Sequence, residues 1–268
     1  MSDPSANGGD GASRREPAEH RSSVWWEWAK TLGLTLVLFL VIRTFLLQSF
    51  YISSGSMEPT LLVGDVLMVN KAAYGAAVPG TGWRLPGWDE PSRGEIVIFR
   101  PEHDPETDVV KRVVGVPGDT LEMRGRELYV NGERRPEPYV THGAPPGRDE
   151  THPWMTWQYS ALVASVDADE YTPSRDDWGP IVVPEGAYFV MGDNRERSLD
   201  SRFWGFLERD RIRGKVAFLY YSFEPRSVRP LPLLTAVRWS RIGMTPASAT
   251  ESAAEGGGGA APSGDGPP

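Results

Sequence analysis

The sequence predicts a mainly β protein, an antiparallel and partly closed barrel or sandwich with an inserted β-rich subdomain, preceded by one transmembrane helix. Three observations lead to this prediction. Short runs rich in Val, Ile, Tyr and Phe recur after residue 64 and are bounded by Gly, Pro, Asp and Asn, which is typical of strands and turns. Helical patterns are almost absent between these runs, and this disfavours parallel βαβ units. One apolar segment of membrane length lies near the N-terminus.

The N-terminal part of the chain holds the predicted membrane helix. Residues 1–23 are rich in Gly, Ser, Ala, Pro and charge, so we predict a disordered arm. Residues 24–50 are predicted to be the transmembrane helix, because the apolar segment within them is about long enough to span a hydrocarbon core. A cleaved secretory signal is disfavoured, since residues 44–52 offer no small-x-small exit. More Lys and Arg residues precede the helix than follow it, which favours a cytoplasmic N-terminus.

The rest of the chain divides by composition. We predict a main β domain over 51–136 and 181–243, an inserted subdomain over the Pro-rich stretch 137–180, and a disordered tail over 244–268, where core-forming residues are lacking. The expected strands lie at 65–70, 95–100, 108–114, 127–131, 181–183, 187–191 and 215–221.

A loop at 72–92 carries Trp83 and Trp88 among Gly and Pro residues. Its aromatic side chains could pack on the barrel or enter a bilayer interface, and packing on the barrel is the favoured prediction.

Composition excludes several function classes. The 268-residue chain is long enough for one substantial core. Its net charge of -8 and pI near 5.1 argue against a nucleic-acid partner. The chain contains no cysteine, so thiol nucleophiles, disulfides and thiolate metal sites are excluded. HExxH and P-loop patterns are also missing, and we predict neither a metal nor a cofactor.

The stretch YISSGSMEPTLLVGD at 51–65 holds three serines beside Gly55. Gly55 permits a sharp bend or a close approach of the backbone, so the segment could present a hydroxyl. A polar linker that leaves a membrane is the alternative, and the stretch alone does not decide between the two.

A serine hydroxyl needs a neighbouring base to act as a nucleophile. The four histidines lie in contexts without a partner motif, so a Ser-His-Asp triad is unsupported, although counting alone does not exclude it. The G-x-S-x-G and S-x-x-K patterns are missing as well. The histidines are His20, His103, His142 and His152.

Lys111, within DVVKRVVGVPGD, is the remaining candidate base. Side chains alternate along a strand, so Lys111 and Arg112 point to opposite faces, and both cannot reach solvent if both faces are covered. A free lysine has a pKa of about 10.4, and burial without an anion lowers it by up to roughly 3 to 5 units. Such an amine could accept a serine proton. A lysine at a sheet edge that discourages edge pairing is the alternative.

A third segment, GDNRERSLDSRFWG at 192–205, crowds charges onto a turn. It could be a solvated loop, as most charge runs are. The serines and the Phe203-Trp204 pair instead favour a packed segment that Asp-Arg pairs hold in shape, and a hydroxyl fixed there could orient a lysine.

Three segments in this order behind an apolar helix resemble type I signal peptidases, the membrane-anchored Ser-Lys endopeptidases. They are SGSMEPTL at 54–61, KRVVGVPGD at 111–119 and the segment at 192–205. RGEIVIFRP at 93–101 and VPEGAYFVMGDN at 183–194 also look like that family. The three segments together are far more specific than any one of them.

The resemblance implies a role for each matching residue. Ser56 would be the acyl-forming nucleophile and Lys111 its general base. Ser54 would help the Ser56 amide to form the oxyanion hole, and Ser198 would orient the lysine. Asp193, Asp200 and Arg202 would form the supporting ion-pair frame. Arg197 departs from the pattern, since many members carry Asn there.

The function that the resemblance implies is removal of signal peptides from secreted preproteins through an acyl-enzyme. It implies a bacterial inner (cytoplasmic) membrane location, with an extracytoplasmic catalytic domain. Some members have two amino-terminal membrane helices, whereas this sequence predicts a single span. It also implies an extended substrate with small residues at the first and third positions before the cut. Two alternatives are kept. A LexA-like self-cleaving regulatory protease also uses Ser and Lys, and a membrane-tethered β scaffold would have no activity.

Overall fold

The computed structural model describes residues 20–78, 80–143 and 152–257. The chain forms two compact units, Met1–Ile42 and Arg43–Pro268. Most of the predicted N-terminal arm lies outside the described residues, but its last four residues belong to a helix, so the helix begins earlier than predicted.

The first unit contains helix α1, His20–Val41, which a π-helical turn follows at Ile42–Leu46. The segment Val24–Leu46 is long and apolar enough to cross a membrane. The predicted helical segment is too long at its C-terminal end, because a strand begins at Leu47. The side chains of this strand alternate in exposure, a pattern that the neighbouring apolar run conceals in the sequence.

The described part of the second unit contains two antiparallel sheets. The larger sheet has the order β1-β2-β11-β3-β4-β9-β10 and the smaller has the order β7-β6-β5-β8, with β1 at Leu47–Tyr51, β2 at Asp65–Asn70, β3 at Ile96–Phe99, β4 at Val109–Gly115, β5 at Thr120–Arg124, β6 at Glu127–Val130, β7 at Glu133–Arg135, β8 at Trp178–Val182, β9 at Ala187–Met191, β10 at Leu207–Glu208 and β11 at Ile212–Ser222. All strand neighbours pair antiparallel. The mainly antiparallel β fold class is therefore confirmed.

The centre of the larger sheet is covered on both faces. Ile96 and Ile98 of β3 lie in one buried cluster, while Val97 and Phe99 lie in another. Successive strand residues point to opposite faces, so the all-apolar sequence of β3 reflects burial on both faces. Full burial of such a side chain contributes about 1.5–3 kcal/mol. Most residues of the adjacent strand β4 are buried as well.

The smaller sheet begins earlier than the predicted insertion. Its strand β5 starts at Thr120, whereas the subdomain was predicted to start at residue 137. Glu122 and Met123 in β5 are good helix formers, which weakened the strand signal. The three strands β5, β6 and β7 follow one another directly and join β8, so the smaller sheet unites residues on both sides of the predicted boundary.

The prediction of a disordered tail is wrong for residues 246–257. The short helices α2, Ser201–Trp204, and α3, Pro232–Thr235, come earlier in the chain. Helix α4, Pro246–Gly257, occupies the first part of the predicted tail, with Ala249 fully buried and Ala253 nearly so. Alanine has the highest helix propensity, and its small side chain allows the helix to pack closely. Because Ala, Ser and Thr are also common in linkers, composition alone misassigned the segment. Residues 258–268 lie outside the described part of the chain.

The prediction that the tryptophans of the 72–92 loop pack on the barrel is also wrong. Trp83 and Trp88 are 78% and 70% exposed, whereas Tyr74 of the same loop is 2% exposed. Tyr74 anchors the loop in the core, and the two indoles remain outside. Contact between these indoles and a bilayer interface stays a prediction.

Candidate active site

The serine cluster lies on a loop that the core holds firmly. Ser56 occupies a 3-10 turn, Gly55–Met57, between β1 and β2. Met57 and Leu61 after it are fully buried in the core cluster of β3. Ser56 itself is 6% exposed. The apolar anchors therefore fix the turn, which a solvated polar linker would lack.

Asp65 at the end of this loop is a second fixing point. Its carboxylate accepts the Leu62 amide at 2.8 Å and the Ser222 hydroxyl at 2.6 Å. Arg241 binds it through both Nε and Nη2, at 3.1 and 2.6 Å, and also donates to the Thr60 carbonyl at 2.8 Å. A bidentate buried arginine pair fixes geometry strongly, so a residue near the C-terminus stabilises the serine loop.

Lys111 of β4 reaches the serine loop. Its Nζ lies 2.8 Å from Ser56 Oγ and 3.0 Å from the Val110 carbonyl oxygen. Lys111 is 3% exposed and Arg112 beside it is 4% exposed. Both faces of β4 are thus covered, which the alternation alone left open, and the sheet-edge alternative for Lys111 is wrong because β4 lies between β3 and β9.

The environment of Lys111 favours a neutral amine. Burial lowers the pKa of Lys111 to about 8, against opposing contributions from the carboxylates of Asp200 and Asp193. Neither carboxylate is a hydrogen-bond partner of the amine among the described residues. Desolvation therefore outweighs the more distant charges, and an appreciable fraction of the amine is unprotonated near neutral pH.

Two further hydroxyls lie near Ser56. Ser54 Oγ is 3.5 Å from Ser56 Oγ. Ser198 is buried, and its hydroxyl donates to Asp200 Oδ2 at 2.6 Å. In the described part of the chain Ser198 has no hydrogen bond to Lys111. Because the Ser198 hydroxyl directs its hydrogen toward Asp200, the lone pairs of the Ser198 oxygen remain available to accept a hydrogen bond from an amine.

Gly192 allows the Ser198 segment to approach Ser56. A Cβ atom at Gly192 would lie 2.3 Å from Ser198 Oγ and 2.5 Å from the Ser56 carbonyl oxygen. The Asn194 amide donates to that same carbonyl at 3.1 Å. A side chain at position 192 would therefore separate the two segments, so this glycine is required for their close packing.

The Asp200–Arg202 pair shapes the Ser198 segment. Arg202 binds Asp200 through Nε at 2.8 Å and Nη2 at 2.9 Å, and both residues are essentially inaccessible. Asp200 also accepts the Gly192 amide at 3.0 Å and caps helix α2, Ser201–Trp204. Burial raises the pKa of Asp200, but the bonds from Arg202 and the other donors outweigh burial, so its pKa is lowered. The carboxylate is ionised.

Asp193 pairs with Arg112, a partner that sequence reasoning did not assign. Arg112 Nε and Nη2 donate to the two carboxylate oxygens at 2.9 and 2.6 Å, and the guanidinium lies 3.9 Å from the Tyr139 ring centroid. Arg195 is likewise buried against Glu137 at 2.7 Å. The sequence contains a signal for the pairing of Arg112, since two cations on an apolar strand require a buried partner. No sequence pattern indicates that Glu137 pairs with Arg195.

The histidines with described side chains do not approach Ser56. His142 lies 3.1 Å from Glu196, and His152 caps the 3-10 helix at Pro153–Ala161. His103 packs against Trp204. His20 lies outside the residues with described side chains. Among the described residues no group of three or more His, Asp or Glu side chains could hold a metal.

A seryl hydroxyl beside a buried amine, on an antiparallel β domain, is the arrangement of a serine peptidase that uses a lysine in place of histidine. The model of the family described as signal peptidase, peptidase S26, matches residues 25–221 of this chain. That range contains every predicted site residue.

Similar proteins carry the same description. A signal peptidase I of Pseudomonas fluorescens is 34% identical over 231 residues, which cover 81% of this chain and 78% of that protein. A signal peptidase I of Bacillus licheniformis is 34% identical over 209 residues, which cover 78% of this chain and 95% of that protein. A crystal structure of a signal peptidase I from Enterococcus faecalis V583 covers 47% of this chain and 97% of its own, with 30% identity and a TM-score of 0.32.

The chain therefore belongs to the signal peptidase family, peptidase S26, and is a serine peptidase. The resemblance predicted from three segments is confirmed. Neither the LexA-like protease nor the scaffold is favoured by any of these comparisons. The apolar helix and the family together are consistent with a membrane-anchored protein.

Proposed function

We propose that this chain is a membrane-anchored endopeptidase that removes signal peptides from preproteins, with Ser56 as nucleophile and Lys111 as general base. The observation that carries the proposal is the 2.8 Å separation of Ser56 Oγ and Lys111 Nζ. Membership of the signal peptidase family supports the substrate class.

The two residues divide the chemistry between them. The neutral Lys111 amine takes the Ser56 proton while Oγ attacks the scissile carbonyl carbon and generates an oxyanion. The resulting ammonium gives that proton to the leaving nitrogen as the C–N bond breaks, which leaves an ester on Ser56. Lys111 then takes a proton from water as the water oxygen attacks the ester, and the ammonium returns that proton to Ser56 Oγ as the C–O bond breaks, which releases the leader and restores the seryl hydroxyl.

Ser54 and Ser198 take supporting roles in this proposal. The Ser54 hydroxyl, 3.5 Å from Ser56 Oγ, would donate to the oxyanion together with the Ser56 amide. Loss of one such donor typically costs about 10²- to 10³-fold in rate. Ser198 would accept a hydrogen bond from Lys111, because the Ser198 hydroxyl hydrogen is already donated to Asp200. Asp193, Asp200 and Arg202 would keep these groups in register.

An apolar cleft of about 200 Å³ beside the nucleophile fits the leader side of the substrate. It is lined by the end of β1 and the start of β4, and includes Ile52, Ser54, Ile98, Val109 and Lys111. Its small volume and mostly apolar lining, to which Ser54, Thr107 and Asp108 add polar groups, suit small side chains before the cut. The backbone of an extended peptide could pair beside these strands.

The proposal is tested with full-length protein in detergent and a preprotein that carries a leader. Mapping of the cut by mass spectrometry is expected to give one site after a small residue. Ser56→Ala should abolish cleavage, while Ser49→Ala, at an exposed serine of β1, should retain it. Cleavage by Ser56→Ala at a rate near that of the unmodified chain would reject the nucleophile.

The orientation is also a proposal, with the N-terminus in the cytoplasm and the catalytic unit outside. It rests on the positive residues on the N-terminal side of the apolar run 31–42, which are Arg14, Arg15, Arg21 and Lys30, against Arg43 on its C-terminal side. Since the chain has no cysteine, a single Ser160→Cys change at an exposed site can be labelled without background. Labelling of intact cells by an impermeant maleimide is expected, and labelling only after lysis would contradict the orientation.

A further inference from the structure

We propose that a charged cleft after Ser56 binds the first residues of the mature chain, and that Arg197 and Arg226 make it prefer an acidic side chain there. This inference rests on the proposed function, because it assigns the substrate residues that follow the cut. It concerns selectivity among preproteins and adds no step to the reaction.

The charged cleft is separate from the apolar one. It has a volume of about 380 Å³. Ser54 lines the apolar cleft and the next residue, Gly55, lines the charged cleft, so the linings of the two clefts meet along the chain immediately before Ser56. The charged cleft is lined by Gly55, Glu58, Leu62, Val63, Arg197, Glu224, Arg226 and Arg238.

The composition of the two clefts assigns the direction of the substrate. Small apolar leader residues suit the cleft that contains Ile52 and Ile98, since burying apolar surface is favourable there. An extended peptide whose scissile bond meets Ser56 must continue beyond it. The residues after the cut then pass Gly55 and enter the cleft where charged side chains predominate.

The charges of this cleft do not cancel. Three guanidinium groups face two carboxylates, which leaves one net positive charge. Arg238 is held by Glu224 and donates to the Val63 carbonyl at 2.9 Å. Within the part of the chain that the structure describes, neither Arg197 nor Arg226 forms an ion pair, and both are exposed. These two side chains are available to a ligand.

Glu58 restricts where an acidic residue can bind. A Cβ atom at Gly55 would lie 2.9 Å from Glu58 Oε2, so this carboxylate lies against the backbone next to Ser56. It would repel an acidic side chain at the first position after the cut. The preference should therefore be strongest at the second or third position, farther from Glu58.

The expected selectivity is modest because both arginines are exposed. Exposed ion pairs change an equilibrium by about two- to five-fold each. Two arginines acting on one carboxylate should therefore produce a measurable difference between acidic, neutral and basic substrates, and added salt should reduce it.

The experiment uses full-length protein and one leader fused to mature chains with Asp, Asn or Lys at the first, second or third position after the cut. The value of kcat/KM for each is divided by that of the Asn substrate. The unmodified chain should prefer Asp over Lys at the second or third position. Arg197→Gln and Arg226→Gln should each lower the Asp preference about two- to five-fold, and Arg197→Glu should favour Lys.

Arg229→Gln is the matched control, because Arg229 is an exposed arginine of the same region that does not line the cleft. It should leave the ratios unchanged. Equal kcat/KM for Asp, Asn and Lys at every position, or an Asp preference that persists in the double Arg197→Gln, Arg226→Gln variant, overturns the cleft assignment alone if the Asn substrate is cut. Failure to cut the Asn substrate after the leader overturns the proposed function as well.

Discussion

The two faces of strand β4 surround two neighbouring basic side chains with different kinds of partner. Lys111 and Arg112 are equally buried, at 3% and 4% exposure. On the Lys111 side the partners are a hydroxyl and a carbonyl, while on the Arg112 side the Asp193 carboxylate binds the guanidinium through two bonds. Burial lowers the pKa of Lys111 to about 8.

Burial also disfavours the charge of Arg112, yet the hydrogen bonds to Asp193 outweigh it and the pKa of Arg112 is raised. The difference teaches that burial alone does not decide whether a cation becomes a base. A carboxylate in direct contact stabilises the protonated form of a buried basic side chain. With only neutral partners, burial lowers the pKa of that side chain and favours its neutral form. One strand thereby supplies both the proposed base and a fixed ion pair that supports it.

The largest expected effect comes from the Lys111 side. Lys111→Met should lower kcat/KM by about 10³-fold or more, because the serine loses its proton acceptor. Lys71→Met is the control, since burial lowers the pKa of Lys71 as well but its amine bonds to the Thr44 carbonyl. Substantial residual cleavage by the Lys111 variant, measured with the same preprotein, would contradict the assignment.

Removing the carboxylate that pairs with Arg112 should lower the stability of the fold. Asp193→Ala leaves a buried guanidinium uncompensated, and we expect the free energy of unfolding to fall by about 3–5 kcal/mol. Urea unfolding measures this. The double variant Arg112→Met, Asp193→Leu removes both charges and should recover part of the loss. A change within about 0.5 kcal/mol for Asp193→Ala would show that the pair is not a fixed frame.

The two sides should also differ in their pH dependence. The pKa of Lys111 falls from 10.5 to about 8 on folding, so between these values the unfolded chain holds a proton that the folded chain lacks. Stability conferred at this residue therefore rises with pH, by roughly 2 kcal/mol between pH 8 and 10. The difference in unfolding free energy between the unmodified chain and Lys111→Met should show this slope. A difference that is constant with pH would exclude it.

The smallest expected effect concerns helix α4, which contacts Arg112. Thr250 of helix α4 accepts a bond from Arg112 Nη2 at 3.1 Å and donates to the Pro246 carbonyl at 2.7 Å. Thr250→Val should cost about 1 kcal/mol of stability, with Ser252→Ala at an exposed position of the same helix as a control. Equal melting temperatures for both variants would mean that α4 does not support the pair.

Local patterns in the sequence predicted much of this arrangement. Alternation along β4 and the lack of any other base pointed to Lys111, and the turn chemistry around Gly55 pointed to the serine loop. The structure brings Ser54, Ser56 and Lys111 together, with Ser198 close to the Ser56 backbone.

The partners of the frame were harder to predict, because they depend on contacts between distant segments. Arg112 meets Asp193 across 81 positions, and Arg241 meets Asp65 across 176. No local period encodes such pairs. Helix α4 was missed for another reason, since its alanines resemble a linker until a surface exists for Ala249 to pack against.

The pH dependence of kcat/KM tests the central claim most directly, namely that Lys111 acts as a neutral base on Ser56. Full-length protein would be assayed on one preprotein between pH 6 and 10. The predicted profile rises about tenfold per pH unit below about 8 and is level above it, as the pKa of Lys111 requires. A flat profile, or a rise centred near the ordinary histidine pKa of about 6.5, would contradict the claim.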